Sequence, residues 1–259
     1  MASQLWAAHP CPLEMGTGLY PSKLADGKLD MTSKIIPVIT IDGPSGAGKG
    51  TIAQNVASAL DFHILDSGSL YRLTALATQD DNIALTDEDK IAAIALNLPV
   101  EFIPGESGLQ ILLRDEDVSE AIRKEDIGMR ASKVAAIPKV RDALLARQRC
   151  FSEAPGLVAD GRDMGTTIFP DAPLKIFMTA SAEERAERRY KQLKDNGISA
   201  NIAALVNDLK LRDEQDANRA VSPLKPAEDA IQIDTTEMGI DEVTQQVLDL
   251  AKQRLKLLS

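Results

Sequence analysis

A chain of 259 residues with 44% apolar and 26% charged side chains can bury a full core, and its balance is that of a globular protein, not of a disordered or fibrous one. The net charge of −10 argues against a nucleic-acid polymer as partner, but leaves room for a small anion held by a local group of cations. With only His9, His63, Cys11 and Cys150 available, a histidine metal site, a histidine triad and a disulfide framework are not expected; no apolar run reaches the ~18 residues that span a bilayer, and a reducing, cytoplasmic compartment fits.

Residues 1–33 mix Pro10, Pro12 and Pro21 with scattered glycines and show no periodicity. They lack the charged start, apolar middle and small-residue cleavage site of a signal peptide, so a disordered extension is expected, with Met31 a natural start. Ile35–Asp42, IIPVITID, is short and β-branched and reads as a buried strand. GPSGAGKGT follows from Gly43 to Thr51, and TIAQNVASAL then has helical spacing. Strand, glycine-rich turn and helix is the context of a phosphate-binding loop. Gly43, Gly46 and Gly48 let several backbone N–H groups face one anion, Pro44, Ser45, Ala47 and Gly50 complete the cradle, and Lys49 supplies a point charge for the outer phosphates. Gly50 stands where such loops usually carry the magnesium-binding hydroxyl, and Thr51 comes one place later, so magnesium would lean on water and other side chains.

Phe62–Asp66 reads as a second strand, a helix begins near Ser67, and a third helix spans about Asp87–Leu96 with Thr86 as cap. PVEFIP, the turn GESG and LQILLR then read as an antiparallel hairpin, with DED at 115–117 another turn. Helices follow at about Asp126–Ala135 and Lys139–Ser152, separated by Pro138. Strand GLVAD ends at Asp160, and Leu174–Ala180 is a further strand. Ser181 with Glu184 makes a capping box for a helix to about Asp195, ended by Gly197, and another helix starts near Asn201. Ala230–Asp234 is the fifth apolar strand, and the chain closes with an amphipathic helix carrying Ile240, Val243, Val247 and Leu250. Five short apolar strands alternating with helices imply an α/β fold, a five-stranded parallel sheet with helices on both faces. The expected division is a core of residues 34–96 and 132–259, a small β-rich insertion at about 97–131, and a short helical lid at about 181–222.

Three stretches beyond the loop carry chemistry. Asp66–Arg72, DSGSLYR, lies at a strand's carboxyl end, where Ser67 can donate a hydrogen bond and Arg72 can grip a phosphate two-pronged; an ordinary cap and a solvated arginine are the alternative. Asp160–Thr166, DGRDMGT, offers Asp160 to order magnesium or its waters, with Arg162 and Asp163 beside it; a polar turn without a role is the alternative. Two helices carry arginines. Arg185, Arg188 and Arg189 fit a solvated face as well as a site, whereas Arg212, Asp216 and Arg219 at i, i+4 and i+7 share one face next to SPLKPAED, a turn-rich loop that suits a moving lid. A phosphate acceptor accounts for the set. Its oxygen is already ionised, so the shortage of histidine costs nothing, and Lys49 with Arg72, Arg162, Arg212 and Arg219 supplies the positive charge that transfer needs.

IDGPSGAGKGT, LDSGSLYR, ADGRDMGT, FPDAPLKIF and RDEQDANRAVSPL, in this order and spacing, resemble the bacterial cytidylate kinase family over about residues 35–259. The resemblance implies a P-loop NTPase fold and transfer of the γ-phosphate of ATP to CMP or dCMP with Mg²⁺. It implies that Ser67, Arg72, Ser132, Arg141, Arg162, Asp163, Arg212, Asp216 and Arg219 face the monophosphate, with Lys49, Arg162, Arg212 and Arg219 stabilising the transfer. A monomer with no polymer or membrane partner is expected. A P-loop kinase for another small acceptor (UMP, AMP or shikimate) is the alternative, and a nucleotide switch without transfer is a more distant one.

Overall fold

The computed structural model describes residues 36–105, 108–195, 197 and 199–256; the extension at 1–33 and part of the GESG turn lie outside them. In chain order the elements are β1 (Val38–Asp42), α1 (Lys49–Leu60), β2 (His63–Asp66), α2 (Ser67–Asp80), α3 (Glu88–Leu96), β3 (Val100–Gly105), β4 (Gly108–Leu113) and β5 (Glu116–Asp117). They continue with α4 (Glu125–Val134), α5 (Pro138–Cys150), β6 (Leu157–Gly161), a π-helical turn (Met164–Ile168), β7 (Leu174–Thr179), α6 (Ala182–Asp195), α7 (Ile202–Ala217), β8 (Ile231–Asp234) and α8 (Ile240–Leu255). The described residues fall into two compact units, one of residues 67–150 and one of residues 36–66 and 151–256.

The second of these is built on a five-stranded sheet, ordered β2-β6-β1-β7-β8, with every pairing parallel. All residues of β1 are buried, which is why its run reads as continuously apolar. Successive side chains on β1 serve opposite faces. Ile39 and Ile41 join Ile52, Val56, Val243, Val247 and Ala251 in one core with α1 and α8. Thr40 and Asp42 face the π-helical turn, whose Gly165 leaves no room for a Cβ beside the Thr40 hydroxyl. The register sets Asp42 opposite Gly161 and Phe177, and Asp66 opposite Asp160, so acids gather at the carboxyl ends of three neighbouring strands.

In the unit of residues 67–150, α2 packs on α3 and α4, α3 packs on α5, and β3, β4 and β5 form an antiparallel sheet. The grouping is wider than the insertion expected at 97–131, because α2 buries nearly its whole circumference and makes the helical packing of this unit its own.

Four local expectations are corrected. Asp87, not Thr86, caps α3 by accepting from the Lys90 N–H at 3.3 Å. The turn after β4 is Arg114–Asp115, both at positive φ, and Glu116–Asp117 is a short strand, since a two-residue hairpin turn needs left-handed residues to match strand twist. Ile240 is 56% exposed, because the buried stripe on α8, made by Val243, Val247 and Ala251, starts a turn later. Cys150 is disulfide-bonded, where two cysteines without a motif gave no expectation of a disulfide framework. His63 plays the structural part expected of it, its Nε2 lying 2.9 Å from the Ala154 carbonyl oxygen.

Candidate active site

Residues 43–48 join β1 to α1 as a glycine-rich loop. At Gly43, with φ +150°, a Cβ would sit 2.1 Å from the backbone oxygen of Met178, so the loop passes too close to β7 for any side chain. Gly46 and Gly48 have φ +78° and +88°, the left-handed region that glycine enters without cost. Gly48 makes no side-chain cap, and the first N–H groups of α1 keep the positive end of the helix dipole uncovered by a side chain. Lys49 opens α1 with its side chain 6% exposed. It donates to the Pro44 carbonyl at 2.9 Å and lies 3.8 Å from Asp160 Oδ1. Burial, then repulsion from Arg162, holds its pKa below the ordinary lysine range, while Asp160, Asp42 and Asp66 pull it back up.

Asp42 ends β1 and accepts from the backbone N–H groups of Met164 and Gly165, each at 2.8 Å. Burial pushes its pKa up to about 7 against those two bonds. It thereby ties the β1 terminus to the segment that carries Arg162 and Asp163. Asp160 lies on β6, its carboxyl also raised, first by burial. Its Oδ2 would be 3.4 Å from a Cβ at position 50, so Gly50 leaves that oxygen uncovered, and Thr51 is exposed on α1. Among the described residues no cluster of three or more His, Cys, Asp or Glu is arranged to hold a metal alone. One open carboxylate beside a phosphate loop suits magnesium, which keeps waters and takes other ligands from phosphates.

Arg162 projects from the turn after β6, donating through Nε to Asp216 Oδ2 at 3.0 Å and through Nη1 to the Gly161 carbonyl at 3.3 Å. Asp216, 1% exposed on α7, also takes an ion pair from Arg219 through its other oxygen. The shared helix face expected for Arg212, Asp216 and Arg219 is corrected: α7 stops at Ala217, with Asn218 as its C-cap, and Arg219 lies past the end. The chain turns there because the Asp216 carbonyl accepts from the Leu224 N–H at 2.9 Å, and this turn still brings Arg219 back to the same carboxylate. Arg212 is half-buried on α7.

Two of the three arginines of α6 turn to the phosphate loop. Arg185 donates to the Ser45 carbonyl at 2.9 Å, and Arg188 reaches the Ala47 carbonyl at 3.4 Å and Thr235. Arg189 pairs with Gln192 and keeps the solvated-face reading. The capping box of α6 is half formed: the Ser181 hydroxyl accepts from the Glu184 N–H at 3.1 Å, but the Glu184 carboxylate turns to Arg188 at 2.9 Å.

Within residues 67–150, Ser67 is buried at the start of α2. Arg72 donates to the Ile122 carbonyl at 2.6 Å, with Gly128 leaving space for its guanidinium. Arg141 on α5 is buried, donates to the Ala135 carbonyl at 3.1 Å and lies 5.6 Å from the Tyr71 ring centroid. The Ser132 hydroxyl on α4 is buried with no protein partner, a hydrogen-bonding group held in reserve. Sequence reasoning left Asp42, Tyr71 and Asp213 out of the site and weighed Arg185 and Arg188 evenly between a site and a solvated face. Of the three left out, only Asp42 carried a signal, an acid closing a buried strand directly before the glycine loop. The others gain their places through tertiary contacts.

The sequence model of the cytidylate kinase family matches residues 39–253. A cytidylate kinase of Saccharophagus degradans is 59% identical over 218 residues, covering 84% of this chain and 97% of the relative. One from Stutzerimonas stutzeri is 57% identical over 223 residues, covering 85% and 97%. One from Salmonella paratyphi B is 53% identical over 223 residues, covering 86% and 98%.

Proposed function

The chain belongs to the cytidylate kinase family, and on that premise we propose that it transfers the γ-phosphate of ATP to CMP or dCMP, yielding ADP and the corresponding diphosphate. The observation that carries the reading is the arrangement around the phosphate loop. A buried lysine faces a strand-end carboxylate, and Arg162 and Arg219 converge on one buried acid close by in the chain's α7 segment. Transfer between phosphates asks for positive charge held in place in a water-poor site more than for a strong base. Loop N–H groups and Lys49 bind the β- and γ-phosphates. Arg162, Arg212 and Arg219 take up charge as the group moves, and Asp216 fixes the direction of two of them. Ser67, Arg72, Ser132, Arg141 and Asp163 hold the monophosphate. Magnesium, when bound with the nucleotide, neutralises phosphate charge, and Asp160 would hold it through water. ATP and free monophosphates are cytoplasmic solutes, so the cytoplasm is its place of work, and one chain carries every residue the reading uses.

A coupled assay with ATP and a panel of acceptors tests this. CMP and dCMP are expected to be the best substrates. A preference for UMP, AMP or shikimate would replace the reading.

The cation of Lys49 is the form that binds phosphate, and its pKa in the free enzyme lies below the ordinary lysine value. It is therefore charged at low pH and loses its charge as pH rises through the lowered value. kcat/KM for ATP is expected to fall on an alkaline limb set well below the ~10.4 of free lysine. Lys49→Arg, whatever its amplitude, is expected to lack that limb across the same range, since guanidinium stays charged. A limb that persists unchanged in the arginine variant would assign it to another group.

Base choice gives a second test. Cytosine presents an exocyclic amine where uracil presents O4, so a carboxylate accepts from the first and loses its partner with the second. Asp163 is buried next to Arg162 and is read as that carboxylate. Asp163→Ala is expected to shrink the CMP/UMP ratio of kcat/KM by ~10-fold or more, about 1.4 kcal/mol. An equal drop with both substrates would mean that Asp163 serves the sugar, magnesium or the fold.

A further inference from the structure

A phosphate loop works by turning its N–H groups inward, which sends its carbonyls outward, where something must satisfy them. Here two arginines on consecutive turns of α6 do so, three residues apart on one face. Arg188 meets Ala47 O, and Arg185 meets Ser45 O. Arg185 is the more committed of the two. Its side chain is 4% exposed, and each of its nitrogens has a partner: Nε donates to Ala180 O at 3.0 Å, Nη1 to Ser45 O at 2.9 Å and to Asp213 Oδ1 at 3.1 Å, and Nη2 to Asp213 Oδ2. Its Cβ stem lies against Gly46, where an added Cβ would approach to 3.2 Å. A guanidinium can serve a carbonyl and a carboxylate at once because its donors form a planar fork.

Asp213 is the point of the arrangement. It lies on α7, beside Arg212 and one turn before Asp216. One buried guanidinium thus joins the back of the phosphate loop to the helix whose end gathers Arg162 and Arg219. We propose that Arg185, through Ser45 and Asp213, is a positioning residue that couples the shape of the phosphate loop to the placement of α7, so that ATP binding and transfer share one constraint. The inference rests on the reading of this chain as an ATP-dependent kinase, and it gives Arg185 no contact with substrate.

Steady-state kinetics, direct titration with magnesium ATP and thermal melts are compared for wild type, Arg185→Lys, Asp213→Ala and the double variant. Lysine keeps the charge but reaches only one partner, and Asp213 is partly exposed, so its loss leaves a foldable chain even where a change at Arg185 does not. Arg185→Lys is expected to raise KM and the dissociation constant for ATP ~10-fold and lower kcat ~10-fold, with KM for CMP within ~2-fold. Asp213→Ala should move the same parameters in the same direction. The double variant should be no worse than Arg185→Lys alone, because both changes cut one link. Single variants that melt lower but keep wild-type kcat and ATP affinity would make the link merely structural and overturn the proposal. So would effects that multiply in the double variant. A wild type that binds ATP but does not phosphorylate CMP would overturn the assigned reaction instead, and the ATP titration would still decide the role of Arg185.

Discussion

Lys49→Ala is expected to lower kcat by ~10²–10³-fold and to leave the melting temperature within a few degrees of wild type. The size follows from what the ammonium does: it is a preorganised charge in a buried place, aimed where the transferred group gathers negative charge, and the loss of one such donor costs about 2.7–4 kcal/mol of transition-state stabilisation. The fold is expected to survive because burial already opposes the charged form of this lysine. Its neighbour Asp160 has a raised pKa and can take up a proton when its partner is removed. CMP affinity should change little, since the lysine faces the ATP side of the reaction, so the loss appears in kcat. Single-turnover kinetics with a binding titration of CMP checks the split. An unchanged kcat would remove the loop from the chemistry altogether.

Asp216→Ala is expected to lose both stability and activity. This carboxylate is 1% exposed and holds Arg162 on one oxygen and Arg219 on the other. Its removal leaves two mostly buried guanidinium groups without their common counter-charge, and breaking a buried pair from one side costs about 3–5 kcal/mol. At ~2–4 °C per kcal/mol for a domain of this size, the melting temperature should drop by roughly 6–20 °C. kcat should fall ~10²-fold, because both arginines lose the direction that makes them useful in the transition state. Asp216→Asn keeps the shape and one acceptor and should lie between the two. Melting curves and kcat on the same preparations check this, and a variant that is stable but slow would assign Asp216 to direction more than to the fold.

The strands were legible because each is a short apolar run between turn signals, and the three central ones, β1, β6 and β7, are buried along nearly their whole length; β1, β2, β6, β7 and β8 lie within a few residues of where periodicity and punctuation place them. Helix starts were legible where a cap residue is polar and local, as at Ser181 and Asn201, whose side chains accept from N–H groups three residues on. The misses share a cause. Thr86 and Asp87 are both good caps, and only backbone geometry chooses between them. Ile240 obeys the helical period yet is exposed, because the period says which residues share a face and not where along the helix the neighbour begins.

The sequence by itself determined the loop, its lysine and the order of the acids and arginines along the chain, since these depend on local backbone freedom and on residue chemistry at fixed spacing. Tertiary structure alone decided which of those charges meet. Arg219 was expected to reach Asp216 along a helix face and reaches it instead around the end of α7, because the Asp216 carbonyl captures Leu224 and turns the chain. Arg185 and Arg188 have the same i, i+3 spacing as many solvated pairs, and nothing local separates them from Arg189. Burial separates them: once α6 lies behind the phosphate loop, the outward carbonyls of Ser45 and Ala47 need donors, and the two arginines on that face supply them while Arg189 stays with Gln192.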